Sequence, residues 1–99
     1  MKVKMQSVHF DADGKLLSYI QKKVDKLSTF YDRITQGEVI LKLDNDGQHQ
    51  NKIVEFIIHI PGDKLFVKEK SVTFEAAADM ALERLKRQLK KYKQKKIGR

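Results

Sequence analysis

The chain has 99 residues, 40% of them hydrophobic, and a chain of this length buries roughly two-thirds of its unfolded surface, enough for one core and not two. Cysteine is absent, which excludes disulfides, thiolate metal sites and a cysteine nucleophile and suits a reducing cytoplasm. The formal charge of +8 is concentrated at one end: residues 1–83 hold 12 Lys/Arg against 13 Asp/Glu, whereas residues 84–99 hold nine Lys/Arg and no acid.

The opening Met1-Lys-Val-Lys-Met-Gln-Ser7 carries charge but no apolar stretch of signal-peptide length, and no run approaches the ~20 apolar residues of a membrane span. Export and membrane insertion are not expected. Val3 and Met5 alternate with Lys2, Lys4 and Gln6, the period-two pattern of a half-buried strand, which predicts a first strand over about 2–9. Asp11-Ala-Asp-Gly14 offers helix caps, and Leu16, Leu17, Ile20, Val24, Leu27, Tyr31 and Ile34 then recur at helical spacing, predicting a helix over about 13–33. At ~100° per residue, Lys15, Lys22, Lys26 and Arg33 fall in a stripe opposite the apolar one, with Lys23 nearer its edge.

Glu38 to Asp44 is a β-branched run that ends in Asn45-Asp46-Gly47, a strand followed by a hairpin loop. Lys52 to Ile60, rich in Ile, Val and Phe, is stopped by Pro61-Gly62-Asp63, a turn that fixes φ at proline and admits a left-handed residue at glycine. A fourth strand follows over about 64–71. Ser71 or Thr73 can cap a last helix over about 73–95, with Glu75 and Asp79 near its positive end.

The order β-α-β-β-β-α predicts an α+β fold in a single domain, residues 1–99. Strands 1 and 2 should pair in parallel across the first helix, strands 2 to 4 should form an antiparallel meander, and both helices should cover one face of this four-stranded mixed sheet. The opposite face is left to solvent or to a partner. Phe74, Ala77, Ala78, Ala81, Leu82, Leu85, Leu89 and Tyr92 fall on one side of the last helix. That stripe continues into the basic block, so the block reads as the outer face of a packed helix rather than a tail, except for the last few residues, about 96–99. Arg84, Arg87, Lys91 and Lys95 then form one flank; Lys86, Lys90 and Lys93 form the other. An acid-free basic surface on a rigid helix suits phosphate binding, because each neutralised phosphate releases counterions.

No enzyme is expected. His9, His49 and His59 are far apart in sequence, the carboxylates are scattered, and Gly14, Gly37, Gly47, Gly62 and Gly98 stand singly rather than in a phosphate-cradling loop. Neither a metal nor another cofactor nor a small-molecule substrate is expected.

Two segments, Lys26-Leu-Ser-Thr-Phe-Tyr-Asp-Arg-Ile34 and Ala76 to Lys95 centred on Arg87-Gln-Leu-Lys-Lys91, carry a resemblance. With the element order, they make the chain similar to the ribosome hibernation promoting factors, also called ribosome-associated inhibitor or sigma-54 modulation proteins, in their short form. The resemblance implies a domain shaped like the double-stranded RNA-binding domains that occupies the decoding channel of the small ribosomal subunit. There it would block mRNA and tRNA without turnover, touching 16S-type rRNA and neighbouring proteins within the 70S ribosome, and it would be a monomer off the ribosome.

By the same resemblance Lys23, Lys26, Arg84, Arg87, Lys91, Lys93 and Lys95 contact RNA. Lys22, Lys86 and Lys90 are extra cations, and charge and geometry add Lys22 and Lys90 to the candidates. Where the family commonly has an acid-Met-Tyr-Ala-Ala-Ile-Asp sequence, this chain has Thr73-Phe-Glu-Ala-Ala-Ala-Asp79, so Glu75 stands in an aromatic position. A general double-stranded RNA-binding module and a protein-interaction regulator using the exposed sheet face are the alternatives.

Overall fold

The computed structural model describes residues 2–44 and 51–97, with side chains through Gln94. Its elements are β1 (Lys2–Val8), α1 (Gly14–Phe30), β2 (Gln36–Asp44), β3 (Asn51–Ile60), β4 (Asp63–Ser71) and α2 (Phe74–Ile97). The sheet order is β1-β2-β3-β4, with β1 and β2 parallel and the other two pairings antiparallel, as the element order and crossover rule predict. None of the described helices is long and apolar enough to cross a membrane.

Local chemistry sets the element ends. Asp13 caps α1, its carboxylate accepting from the Lys15 amide at 3.3 Å. Thr73 caps α2, its hydroxyl oxygen accepting from the Ala76 amide at 3.0 Å, which satisfies a helix donor that would otherwise lack a partner. Between β3 and β4 the register brings Ile60 opposite Asp63, leaving only Pro61 and Gly62 to reverse the chain. Gly62 has φ +82°, a conformation that costs a residue with a Cβ and costs glycine little.

Both helices bury their apolar sides against one sheet face. Leu16, Ile20, Val24 and Leu27 of α1 meet Ala77, Ala81, Leu85 and Leu89 of α2 above Val39, Leu41, Val54, Phe56, Ile58 and Val67 of the sheet. The stripe read from the sequence of α2 is this buried side, and it reaches Tyr92, which is half-buried against the core. Phe10 and Phe74 stack with centroids 5.2 Å apart, joining the segment before α1 to the first residue of α2.

Helix α1 stops at Phe30 rather than near 33: Tyr31 is extended, with φ −139° and ψ 105°. Asp32 and Arg33 form a turn, and Tyr31 and Ile34 on either side of it are nonetheless buried, so their helical spacing reflects burial that continues beyond the helix. Arg33 consequently lies beyond α1 and does not join a helical stripe with Lys15, Lys22 and Lys26. Helix α2 runs two residues past its expected end, to Ile97. The expected hairpin loop Asn45-Asp46-Gly47, His49, Gly98 and the side chain of Lys95 lie outside the described residues.

Candidate nucleic-acid interface

The two helices lie side by side and run in the same direction. Near the start of the pair, the Tyr19 hydroxyl sits 2.9 Å from both oxygens of Asp79, and near the end the Lys93 ammonium donates to the Phe30 carbonyl at 3.1 Å. The Tyr19 hydroxyl is held above the ordinary tyrosine range chiefly by its hydrogen bond to the Asp79 carboxylate, then by burial and the negative charge of Asp79. Lys23 closes the same cluster, 3.6 Å from Asp79 and 5.3 Å from the Tyr19 ring centroid.

A cleft of about 290 Å³ opens between the helices, lined by Lys23, Lys26, Asp79, Leu82, Glu83 and Lys86. Its charge changes along its length. Asp79 and Glu83 mark the end nearer the helix starts, and beyond Glu83 every charged residue of α2 is a cation. Helices expose uncompensated carbonyls at their C-termini, and the parallel arrangement sets the end of α1 beside the basic part of α2. Helix α1 has no basic residue in its last turn; Lys93 of α2 supplies one, and its ammonium also lies 4.7 Å from the Phe30 ring centroid.

The nine cations expected to meet RNA therefore divide by what they touch. Lys23, Arg84 and Lys93 have partners within the fold. Arg84 turns from the helix surface to the edge strand, with Nη1 2.5 Å from Glu69 and 3.4 Å from the Lys68 carbonyl. Lys22, Lys26, Arg87, Lys90 and Lys91 are exposed, and among the described residues their side chains have no ionic or hydrogen-bonding partner. Lys86, noted from charge but outside the candidate set, belongs with them because it lines the cleft. Lys95 continues the α2 backbone.

The Tyr19–Asp79 tie carried no signal in sequence spacing, since its partners are 60 residues apart. Among the described residues no group of three or more His, Asp or Glu could hold a metal ion. Exposed ammonium and guanidinium groups thus line two helices tied together near both ends, an arrangement able to bind phosphates.

Residues 3–97 match the family model described as "Sigma 54 modulation protein / S30EA ribosomal protein". The chain belongs to this family. Similar family members include a ribosome hibernation promoting factor of Azotobacter vinelandii, 29% identical over 99 residues, covering 100% of this chain and 89% of that protein. A ribosome hibernation promoting factor of Pseudomonas putida is 30% identical over 95 residues, covering 96% of this chain and 89% of its own.

Among solved structures, a ribosomal subunit interface protein of Coxiella burnetii superposes with a TM-score of 0.84 at 24% identity, covering 94% of this chain and 98% of that one. The N-terminal domain of Thermus thermophilus Protein Y gives 0.80 at 25% identity, covering 93% and 99%. These likenesses carry the fold: two helices on a four-stranded mixed sheet. Glu75 is exposed in the first turn of α2.

Proposed function

We propose that this protein is a cytoplasmic ribosome hibernation factor, a single domain that lodges in the decoding channel of the small subunit and keeps mRNA and tRNA out by occupying their space. The observation that carries the reading is the row of free cations on α2 beyond Glu83, held in fixed positions by the buried side of the same helix. Arg87 can fork onto phosphate oxygens, while Lys90 and Lys91 act as point charges. Lys22 and Lys26 of α1 widen the surface across the cleft. Arg84, Lys23 and Lys93 assist by holding the helices in place, and Lys95, further along α2, is a further RNA-contacting candidate.

Such a factor needs neither cofactor nor turnover, and it acts as a monomer whose partners are the rRNA and neighbouring proteins of the small subunit within the 70S ribosome. Sucrose-gradient sedimentation of ribosomes with the protein tests this. The protein is expected to travel with small subunits and 70S particles, to dissociate as salt rises, and to lose binding in an Arg87→Glu/Lys91→Glu variant. Undiminished co-sedimentation of that variant would remove α2 from the interface. Tight binding of a free duplex of about 16 base pairs in the absence of ribosomes would instead favour a general double-stranded RNA-binding module.

A further inference from the structure

The sheet face opposite the helices also has an ordered chemistry. Strand alternation places Lys2 and Lys4 of β1, Glu38, Ile40, Lys42 and Asp44 of β2, Ile53, Glu55, Ile57 and His59 of β3, and Lys64, Phe66, Lys68 and Lys70 of β4 on this side. Six lysines thus share it with three carboxylates.

Each carboxylate has a partner on the same face. Glu55, only 8% exposed, lies 3.0 Å from the Lys42 ammonium; Asp44 lies 2.9 Å from Lys70, and Glu38 lies 3.1 Å from His59. Lys2, Lys4, Lys64 and Lys68 are exposed, and their ammonium groups have no partner among the described residues. Phe66 stands between Lys64 and Lys68 on the edge strand, 54% exposed, with half-buried Ile57 opposite it.

Lysines on an edge strand discourage sheet-to-sheet pairing, and that purpose accounts for Lys64 and Lys68. It does not account for an exposed phenyl ring between them, which adds the apolar surface that edge lysines guard against. Cations that follow a phosphate backbone beside an aromatic ring that receives a base are the two components of single-strand recognition. Side chains two apart on a strand repeat every ~7 Å, so Lys64 and Lys68 flank Phe66 at a distance their flexible stems can span to neighbouring phosphates.

We infer that this open sheet face is a second RNA-binding surface, taking a single-stranded segment with one base stacked on Phe66 and its flanking phosphates on Lys64 and Lys68. The inference does not require the helix interface. If both hold, the domain touches RNA on opposite sides.

The test is a nuclear magnetic resonance titration of the 15N-labelled protein at low salt with an eight-nucleotide oligouridylate, which lacks duplex structure. Amide signals from Lys64 to Lys68 and of Ile57 are expected to shift. Phe66→Ala should weaken binding about tenfold, within the range found when a base-stacking aromatic is removed, whereas Phe66→Tyr should preserve it. Replacing Lys64 and Lys68 together by Gln should lower the salt slope by about 1.4, at about 0.7 per single-strand phosphate.

The inference is overturned if no binding occurs, if shifts are confined to α1 and α2, or if Phe66→Leu binds as well as the parent. The last result would mark an apolar contact suited to a protein. Arg87→Glu/Lys91→Glu should retain the sheet shifts even if it loses ribosomes, so the two interfaces can fail separately. Amide spectra of each variant report whether its fold is kept.

Discussion

Arg84 and Lys91 stand seven residues apart on one flank of α2, yet their charges act differently. The Arg84 guanidinium is matched by Glu69 at 2.5 Å and lies against the sheet edge, so it adds no net charge to the helix surface. Lys91 is exposed with no such partner among the described residues. Lys91→Gln is therefore expected to reduce the salt slope of RNA binding by about 1, while Arg84→Gln should leave that slope nearly unchanged and lower stability by up to about 1 kcal/mol, as for an exposed ion pair. Ribosome-binding titrations at several salt concentrations, paired with denaturant unfolding, separate these outcomes. Equal slope losses would show that the Glu69 pair opens on binding. Sequence alone could not make this distinction, because Glu69 is 15 positions away and helical spacing identifies a flank without identifying what lies beside it.

At the scale of elements, α2 was the most legible part of the chain. Its apolar positions recur through Tyr92, and Phe74, Ala77, Ala78, Ala81, Leu82, Leu85 and Leu89 are all buried. Helix α1 was less legible at its end, since Tyr31 and Ile34 fit the helical period while lying beyond the helix, on either side of the Asp32-Arg33 turn. The period reports burial, and burial continues past the helix. The ties between helices were not legible: Tyr19 with Asp79, and Lys93 with Phe30, depend on parallel packing that spacing within one helix does not encode. Because the cations of α2 are positioned from behind by packing, Leu89→Ala should cost about 2–5 kcal/mol, the range for opening a cavity in a core. Leu89 has no exposed surface. A lower urea midpoint with a matching loss of RNA affinity near that midpoint is the expected result, although Leu89 lies wholly in the core.

Across the whole molecule, strand order and the placement of both helices on one face followed from element order, the right-handed crossover rule and the Pro61-Gly62 turn. The pairing of charges on the open sheet face did not, because Lys42–Glu55 and Lys70–Asp44 form between strands and depend on register. Charge counted along the chain identifies the basic helix; charge counted after pairing identifies Lys2, Lys4, Lys64 and Lys68 as a second unmatched group.

The acid-free end of α2 also bears on the free protein. Lys86 faces Lys90 and Arg87 faces Lys91 one turn apart on the described helix, and like charges at this spacing destabilise a helix by about 0.2–0.5 kcal/mol per pair. The surface that would attract RNA therefore repels itself when empty. Added salt should raise the melting temperature of the free protein by screening this repulsion, while the same salt weakens RNA binding. RNA should raise it further at low salt, by an amount that grows with ligand concentration. Calorimetric scans across salt, with and without RNA, are expected to show these opposite trends; a melting temperature in the free protein that falls with salt would show that attractive pairs outweigh the repulsion. For the proposed interface, the empty surface is the electrostatically unfavourable state, and a bound polyanion would relieve it.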